Sequence, residues 1–217
     1  MTKTFFALLA ILLLLTISID SILAQNRNDV SFKWAFIHRS ADGKKKIIDF
    51  KKRPPHTVTS GDNLQVYIQS SVNIYIYIFM LDTQKDLFLI LPEHPDFYAE
   101  SELELSEIYL PSRNDWFTWD EARGTERFYM LASSQRLTRL EAKTARYLNS
   151  QQDKVLKAGL LEEIELVRKQ KSDLTTVTEK PVAIAGTIKT RGTSMAGMAT
   201  LVEAQDFYAK TLRLKHE

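Results

Sequence analysis

Four histidines, His38, His56, His94 and His216, are the side chains best suited to move protons or bind metal near neutral pH, and they are scattered along the chain. No HExxH string and no repeated carboxylate–histidine spacing accompanies them, so neither a metal centre nor a cofactor is expected. His94 sits beside Glu93 and Asp96 but reads as part of a solvated loop. Glu100, Glu102, Glu104 and Glu107 match a calcium loop in charge alone, lacking the oxygen-ligand spacing and the turn glycine. A nucleophile is suggested only by Gly192-Thr193-Ser194-Met195-Ala196. Such a serine needs a histidine base and a carboxylate that orients the base. The chain has no cysteine, which excludes disulfides, thiolate metal sites and cysteine nucleophiles.

Two further groups could bind rather than react. Trp116, Phe117 and Trp119 lie close together between Asp115 and Asp120. Exposed, they would form a sugar- or peptide-binding platform; buried, they would be core at a sheet edge. This trio is the candidate partner surface. Lys44, Lys45, Lys46, Lys51, Lys52 and Arg53 form a basic hairpin edge. That edge suits an anionic envelope polymer or lipid headgroups. It equally suits a strand whose charges stop it from pairing with another chain. The 29 Lys+Arg and 27 Asp+Glu of the 217 residues leave a formal charge of +2, which argues against nucleic acid as a partner.

Residues 1–24 read as a secretory signal peptide. Lys3 is followed by the uncharged run Phe5 to Ile19, and Ala24 offers a small residue at the cut. An uncleaved anchor is the other reading of that run. No second apolar run of that length follows, so no membrane span is expected after cleavage. An exported chain without disulfides fits the periplasm or cell surface of a bacterium.

The elements that must position these side chains show a period of two at first. Val30, Phe32, Trp34 and Phe36 share one face of a half-buried strand. A second strand is expected over Lys46 to Phe50, and Pro54-Pro55 ends it. Leu64, Val66 and Ile68 share a face of the next strand. Val72 to Leu81 is apolar on both faces and is expected to be covered on both sides. Leu87 to Leu91 and Thr125 to Ser133 are further strands, and Tyr109 to Pro111 and Phe117 to Trp119 are short ones. From 134 to 171 the pattern turns helical. Ser134 or Thr138 is expected to cap it, with Thr138 and Glu141 at capping-box spacing. Asn149, Ser150 and Gly159 leave one helix or two open. Val182 to Thr190 and Asp206 to Glu217 are read as strands of a closing segment over 181–217. Residues 25–217 are therefore expected to be one mainly β domain. Its fold class is an antiparallel β-sandwich or open barrel, immunoglobulin-like in general architecture, with an inserted long helix or helical hairpin.

The block SGDNLQVYIQS, IYIYIFMLDTQKDLFLILP, YLP and GTERFYMLAS resembles the bacterial domain of unknown function family 4384 over residues 57–135. Members of that family show a Gly-Asp turn before an alternating strand, then a Tyr-rich strand. A leucine-rich strand ending in proline, a Tyr-x-Pro step and a Gly-Thr-Glu turn follow. Here those landmarks are Gly61, Asp62, Leu64, Tyr77, Leu91, Pro92, Tyr109, Pro111, Gly124, Thr125 and Glu126. The resemblance implies an extracytoplasmic or accessory module rather than an enzyme. On their own chemistry, Gly61, Asp62, Gly124, Thr125 and Glu126 read as turn residues. Glu126 is expected to pair with Arg123 or Arg127. The GTSMA string resembles the serine segment of subtilisin-like proteases, but no histidine here precedes Gly-Thr.

Together these features favour an exported, non-catalytic module for protein interaction or cell-envelope association. A glycan-binding protein using Trp116 and Trp119 is the alternative, and a serine hydrolase through Ser194 is the remote one.

Overall fold

The computed structural model describes residues 29–70, 73–100, 107–172, 176–184, 189–190, 193–194 and 198–217. Residues 1–24, read above as a signal peptide, lie outside them, as do Val72, Glu102 and Glu104. Among the described residues no helix is long and apolar enough to cross a membrane.

Two sheets face each other. The first runs β10 (Val177–Ala183), β13 (Met198–Gln205), β1 (Asp29–Arg39), β4 (Asn63–Ser70), β7 (Ile108–Leu110). On it, β2 (Lys45–Ile47) pairs with β1 and β8 (Phe117–Thr118) with β4. The second runs β3 (Thr57–Val58), β14 (Phe207–His216), β9 (Gly124–Ser133), β5 (Tyr75–Leu81), β6 (Leu87–Leu91). All these pairings are antiparallel except β3 on β14, which is parallel. A separate small ladder joins β11 (Lys189–Thr190) to β12 (Thr193–Ser194). The arrangement is a sandwich, not a barrel. Strands from before and after the helical stretch meet in both sheets: β13 lies beside β1 in the first, and β14 lies between β3 and β9 in the second.

Alternation decides what each sheet buries. On β1, Val30, Phe32, Trp34 and Phe36 point between the sheets, where they meet Ile76 and Ile78 of β5 and Phe128 and Met130 of β9. The opposite faces of β5 and β9 are apolar too, with Tyr77, Phe79, Tyr129 and Leu131. That second face is covered by α2 (Thr138–Leu148) and α3 (Lys154–Ser172), through Leu140, Tyr147, Leu160 and Ile164. The one-turn α1 (Phe97–Glu100) adds Tyr98, whose hydroxyl accepts a hydrogen bond from the Ile76 amide at 3.0 Å. The two-sided covering expected of the Tyr-rich strand is thus met by two different layers.

The helical stretch is two helices, with the break at residues 149–153, while Gly159 lies inside α3. Asp153 opens α3 by accepting bonds from the Val155 and Leu156 amides at 2.8 and 3.2 Å. The expected cap of α2 is a correction. Leu137 occupies the N-cap position and no side chain caps it. The Glu141 carboxylate is diverted to the buried Tyr77 hydroxyl at 2.6 Å and to the Arg136 guanidinium. Burying a hydroxyl without a partner would cost more than a frayed first turn. Two strand boundaries also move. The second strand is confined to Lys45–Ile47, and Phe50 instead turns in to stack on Phe36 at 5.3 Å. The strand expected over Val182 to Thr190 starts at Val177 and ends at Ala183. Strand β13, with its alanines and threonine, had no clear apolar face in the sequence.

Tyr77 therefore ties sheet to helix, since it also accepts the Leu137 amide at 3.0 Å. Tyr77→Phe is expected to destabilise the fold by about 2 kcal/mol, because it strands the amide and part of the carboxylate. Urea denaturation of the two proteins checks this.

Candidate functional site

The residues singled out as turn landmarks lie at one end of the sandwich. Gly61 takes φ +84°, a conformation only glycine adopts without strain. Asp62 follows it and is buried. Its carboxylate accepts bonds from the Thr59 amide (2.9 Å), the Thr59 hydroxyl (3.0 Å) and the Ala41 amide (3.1 Å). His38 Nε2 lies 2.9 Å from Asp62 Oδ2. Burial opposes ionisation of Asp62, but the Thr59 amide, the His38 ring and the Thr59 hydroxyl outweigh it and hold the acid below its usual range.

The contact continues beyond His38. His38 Nδ1 is 3.0 Å from His56 Nε2, with the rings 4.9 Å apart and close to perpendicular. The His38 Nε2–Asp62 contact is close but lies outside hydrogen-bond geometry; with the Nε2 proton facing the carboxylate, His38 Nδ1 is the acceptor and His56 Nε2–H the donor. Burial first, then the charges of His38 and Lys46, push His56 down to about 4. His216 enters from β14 at the same end, where it pairs in register with Val58 and Gly124. Its Nε2 is 3.4 Å from the Ser60 hydroxyl. Its Nδ1 is buried without a partner among the described residues, so no carboxylate orients this ring as a base. His38 and His56, which the sequence scatters, are therefore in contact, and His216 enters at the same end of the sandwich. Among the described residues no three acids, histidines or cysteines are grouped to hold a metal.

Gly124 and Glu126 belong to the same end. Gly124 has φ +150°, and a Cβ there would stand 2.9 Å from Thr83 Cγ2. Thr125 is exposed. Glu126 is a correction: it pairs with neither Arg123 nor Arg127. Period two turns its side chain inward, away from Arg127, and it is only 3 % exposed. One carboxylate oxygen has no partner among the described residues. Burial first, then the negative charges of Asp82 and Asp120, push Glu126 up to about 7.

The aromatic trio does not form one surface. Trp119 is buried in the core between the sheets, and its ring lies 5.7 Å from His216. Phe117 is half-buried against the same core. Trp116 lies on the opposite face of the first sheet, packed with Ala35, Ile37 and Tyr67. The Arg39 guanidinium and the Lys45 ammonium stand 4.4 and 5.0 Å from its ring centre. The polar flank at Asp115 is a local turn, in which its carboxylate accepts the Ser112 hydroxyl at 2.6 Å. Ser194 lies in β12, and its side chain is outside what the structure describes. His94 is exposed, 3.9 Å from Glu100.

A groove of about 490 Å³ opens between β2 with the segment after it and the strands β10 and β13. Trp34 and Phe50 line it, and Met198, 57 % exposed, stands at its edge. Lys45, Lys46, Lys51, Lys180 and Lys210 surround it. Glu179 accepts both Lys210, at 2.5 Å, and Lys51, at 3.4 Å. Lys180 pairs with Glu203 at 3.0 Å. Lys45 and Lys46 have no carboxylate partner among the described residues. Desolvation and the charge of Arg39 lower Lys45 from its ordinary value. The basic hairpin edge was visible in the sequence; the groove was not, because its other wall lies well over a hundred residues away.

The structure thus defines a two-sheet β-sandwich with a helical outer layer, a buried polar end and one basic groove. The family model described as Domain of unknown function (DUF4384) matches residues 57–136. That stretch supplies β3 to β9 and the buried landmarks, while β1, β10, β13 and β14, which complete both sheets, lie outside it. No curated protein and no solved structure matches the chain.

Glu126 favours folding in its protonated form, so its penalty is present above about pH 7 and fades as pH falls through the ordinary carboxylate range. Glu126→Gln is expected to stabilise the protein by about 1–2 kcal/mol in mild alkali, and to lose that gain in acid. Thermal melts across pH test the sign.

Proposed function

We propose that the protein is an exported, non-catalytic β-sandwich that holds an anionic polymer of the cell envelope in the basic groove. The observation that carries this reading is that Lys45 and Lys46, which have no carboxylate partner among the described residues, line the groove beside the apolar Trp34, Phe50 and Met198. A chain of negative charges gains from the lysines, and its backbone gains from the apolar surface. Export rests on the charged start and apolar run of residues 1–24. The non-catalytic reading is supported by His216, which lies 3.4 Å from the Ser60 hydroxyl and whose other ring nitrogen has no partner among the described residues. The glycan-binding alternative loses its platform, because Trp119 is core.

Two measurements test the reading. Dextran sulfate, a polyanion, is expected to quench Trp34 fluorescence on titration into residues 25–217, less so as salt rises. The Lys45→Gln, Lys46→Gln double variant is expected to bind about tenfold more weakly, a loss of about 1.4 kcal/mol. Equal affinity would remove the groove from the function. Residues 1–28 fused to a reporter active only outside the cytoplasm are expected to give activity in a bacterial host.

A further inference from the structure

We propose that the His56–His38–Asp62 chain is an acid-operated latch that holds residues 48–56, whose first four residues line the basic groove, against the first sheet. Its regulatory meaning rests on the groove reading above; the latch itself does not.

The geometry that carries it is the nitrogen-to-nitrogen contact between His38 and His56, 3.0 Å. In the neutral state His56 Nε2–H donates to His38 Nδ1 at 3.0 Å, while His38 Nε2 stands 2.9 Å from Asp62 Oδ2 in an ionic contact that lies outside hydrogen-bond geometry. One added proton leaves the chain intact. If it lands on His56 Nδ1, the donation to His38 continues. If it lands on His38 Nδ1, His56 can shift its own proton to Nδ1 and accept with Nε2. A second proton breaks the chain. Both rings then present N–H groups to each other, and two positive charges stand about 5 Å apart.

Every charged neighbour recorded for this pair deepens that choice or anchors the far end. Lys46 on β2 and Lys52 just beyond the groove add positive charge beside His56, and Asp62 before β4 opposes them. Asp62 is held by two amides and a hydroxyl, so His38 stays with the sheet while His56 is the partner that leaves. The segment is also held at Lys51, whose ammonium lies 3.4 Å from the Glu179 carboxylate on β10. The Ile48 amide donates to the Phe36 carbonyl at 2.8 Å, and Phe50 stacks on Phe36 and Trp34. Folding opposes protonation of His56, so its contribution is complete above the ordinary histidine range and is lost as pH falls toward about 4.

Hydrogen exchange, corrected for the intrinsic rate at each pH, tests this on the chain comprising residues 25–217. Between neutral pH and about pH 4, protection of the Ile48 amide is expected to fall about tenfold or more, while amides in β9 and β14 keep theirs. His56→Gln supplies the decisive comparison. Its amide can donate to neutral His38 or, turned over, accept from protonated His38, so the variant is expected to keep its wall closed in acid. Unchanged protection at Ile48, loss shared equally by β9 and β14, or the same acid response in His56→Gln would each overturn the latch. Dextran sulfate binding at neutral pH reads the groove separately. Its loss would sink the function and leave the exchange result standing.

Discussion

Strands β5 and β9 are apolar on both faces, and water can be left with neither. At about 25 cal/mol per Å² of apolar surface, exposing one face of such a pair would cost more than a whole domain's net stability. The rest of the architecture answers that constraint. One face is covered by the first sheet, which sets the sandwich. The other is covered by α2 and α3, which explains why a helical stretch interrupts an otherwise β chain. Tyr77 marks the seam, because its ring is core while its hydroxyl reaches across to the Leu137 amide and the Glu141 carboxylate.

The open ends of the sandwich are a different problem. There the chain crosses between sheets, and backbone and side-chain polar groups are drawn into partial burial. At the end described here Asp62 gathers the Thr59 and Ala41 amides, while backbone bonds between Gly61, Asp62 and Trp119 fasten β4 to the segment before β9. The turn residues Gly61, Asp62, Gly124, Thr125 and Glu126 thus belong to one closure, which His38, His56 and His216 also enter.

Much of the fold was legible in the residues. Period two in β1 and β4, the double-faced apolar run of β5 and the switch to helical spacing after Ser133 depend on local pattern, and local pattern is what a sequence displays. What escaped was set by partners distant in the chain. The capping-box spacing of Thr138 and Glu141 was real, but Tyr77, sixty-four residues from Glu141, took the carboxylate. Glu126 had two arginines nearby in sequence and none on its face of the strand. Trp116 and Trp119, three residues apart, lie on opposite sides of a sheet. His38, His56 and His216 had no spacing that could announce that they share one end of the sandwich, because β3 joins β14 in parallel from the far end of the chain.

One edge strand of the first sheet, β10, runs Val-Thr-Glu-Lys-Pro-Val-Ala and, among the described residues, has a neighbour on one side only. Pro181 lacks a backbone donor, and the adjoining Lys180 carries charge along the free border. A second copy arriving side-on would find an incomplete ladder. Side-by-side growth of the first sheet is therefore disfavoured along this border.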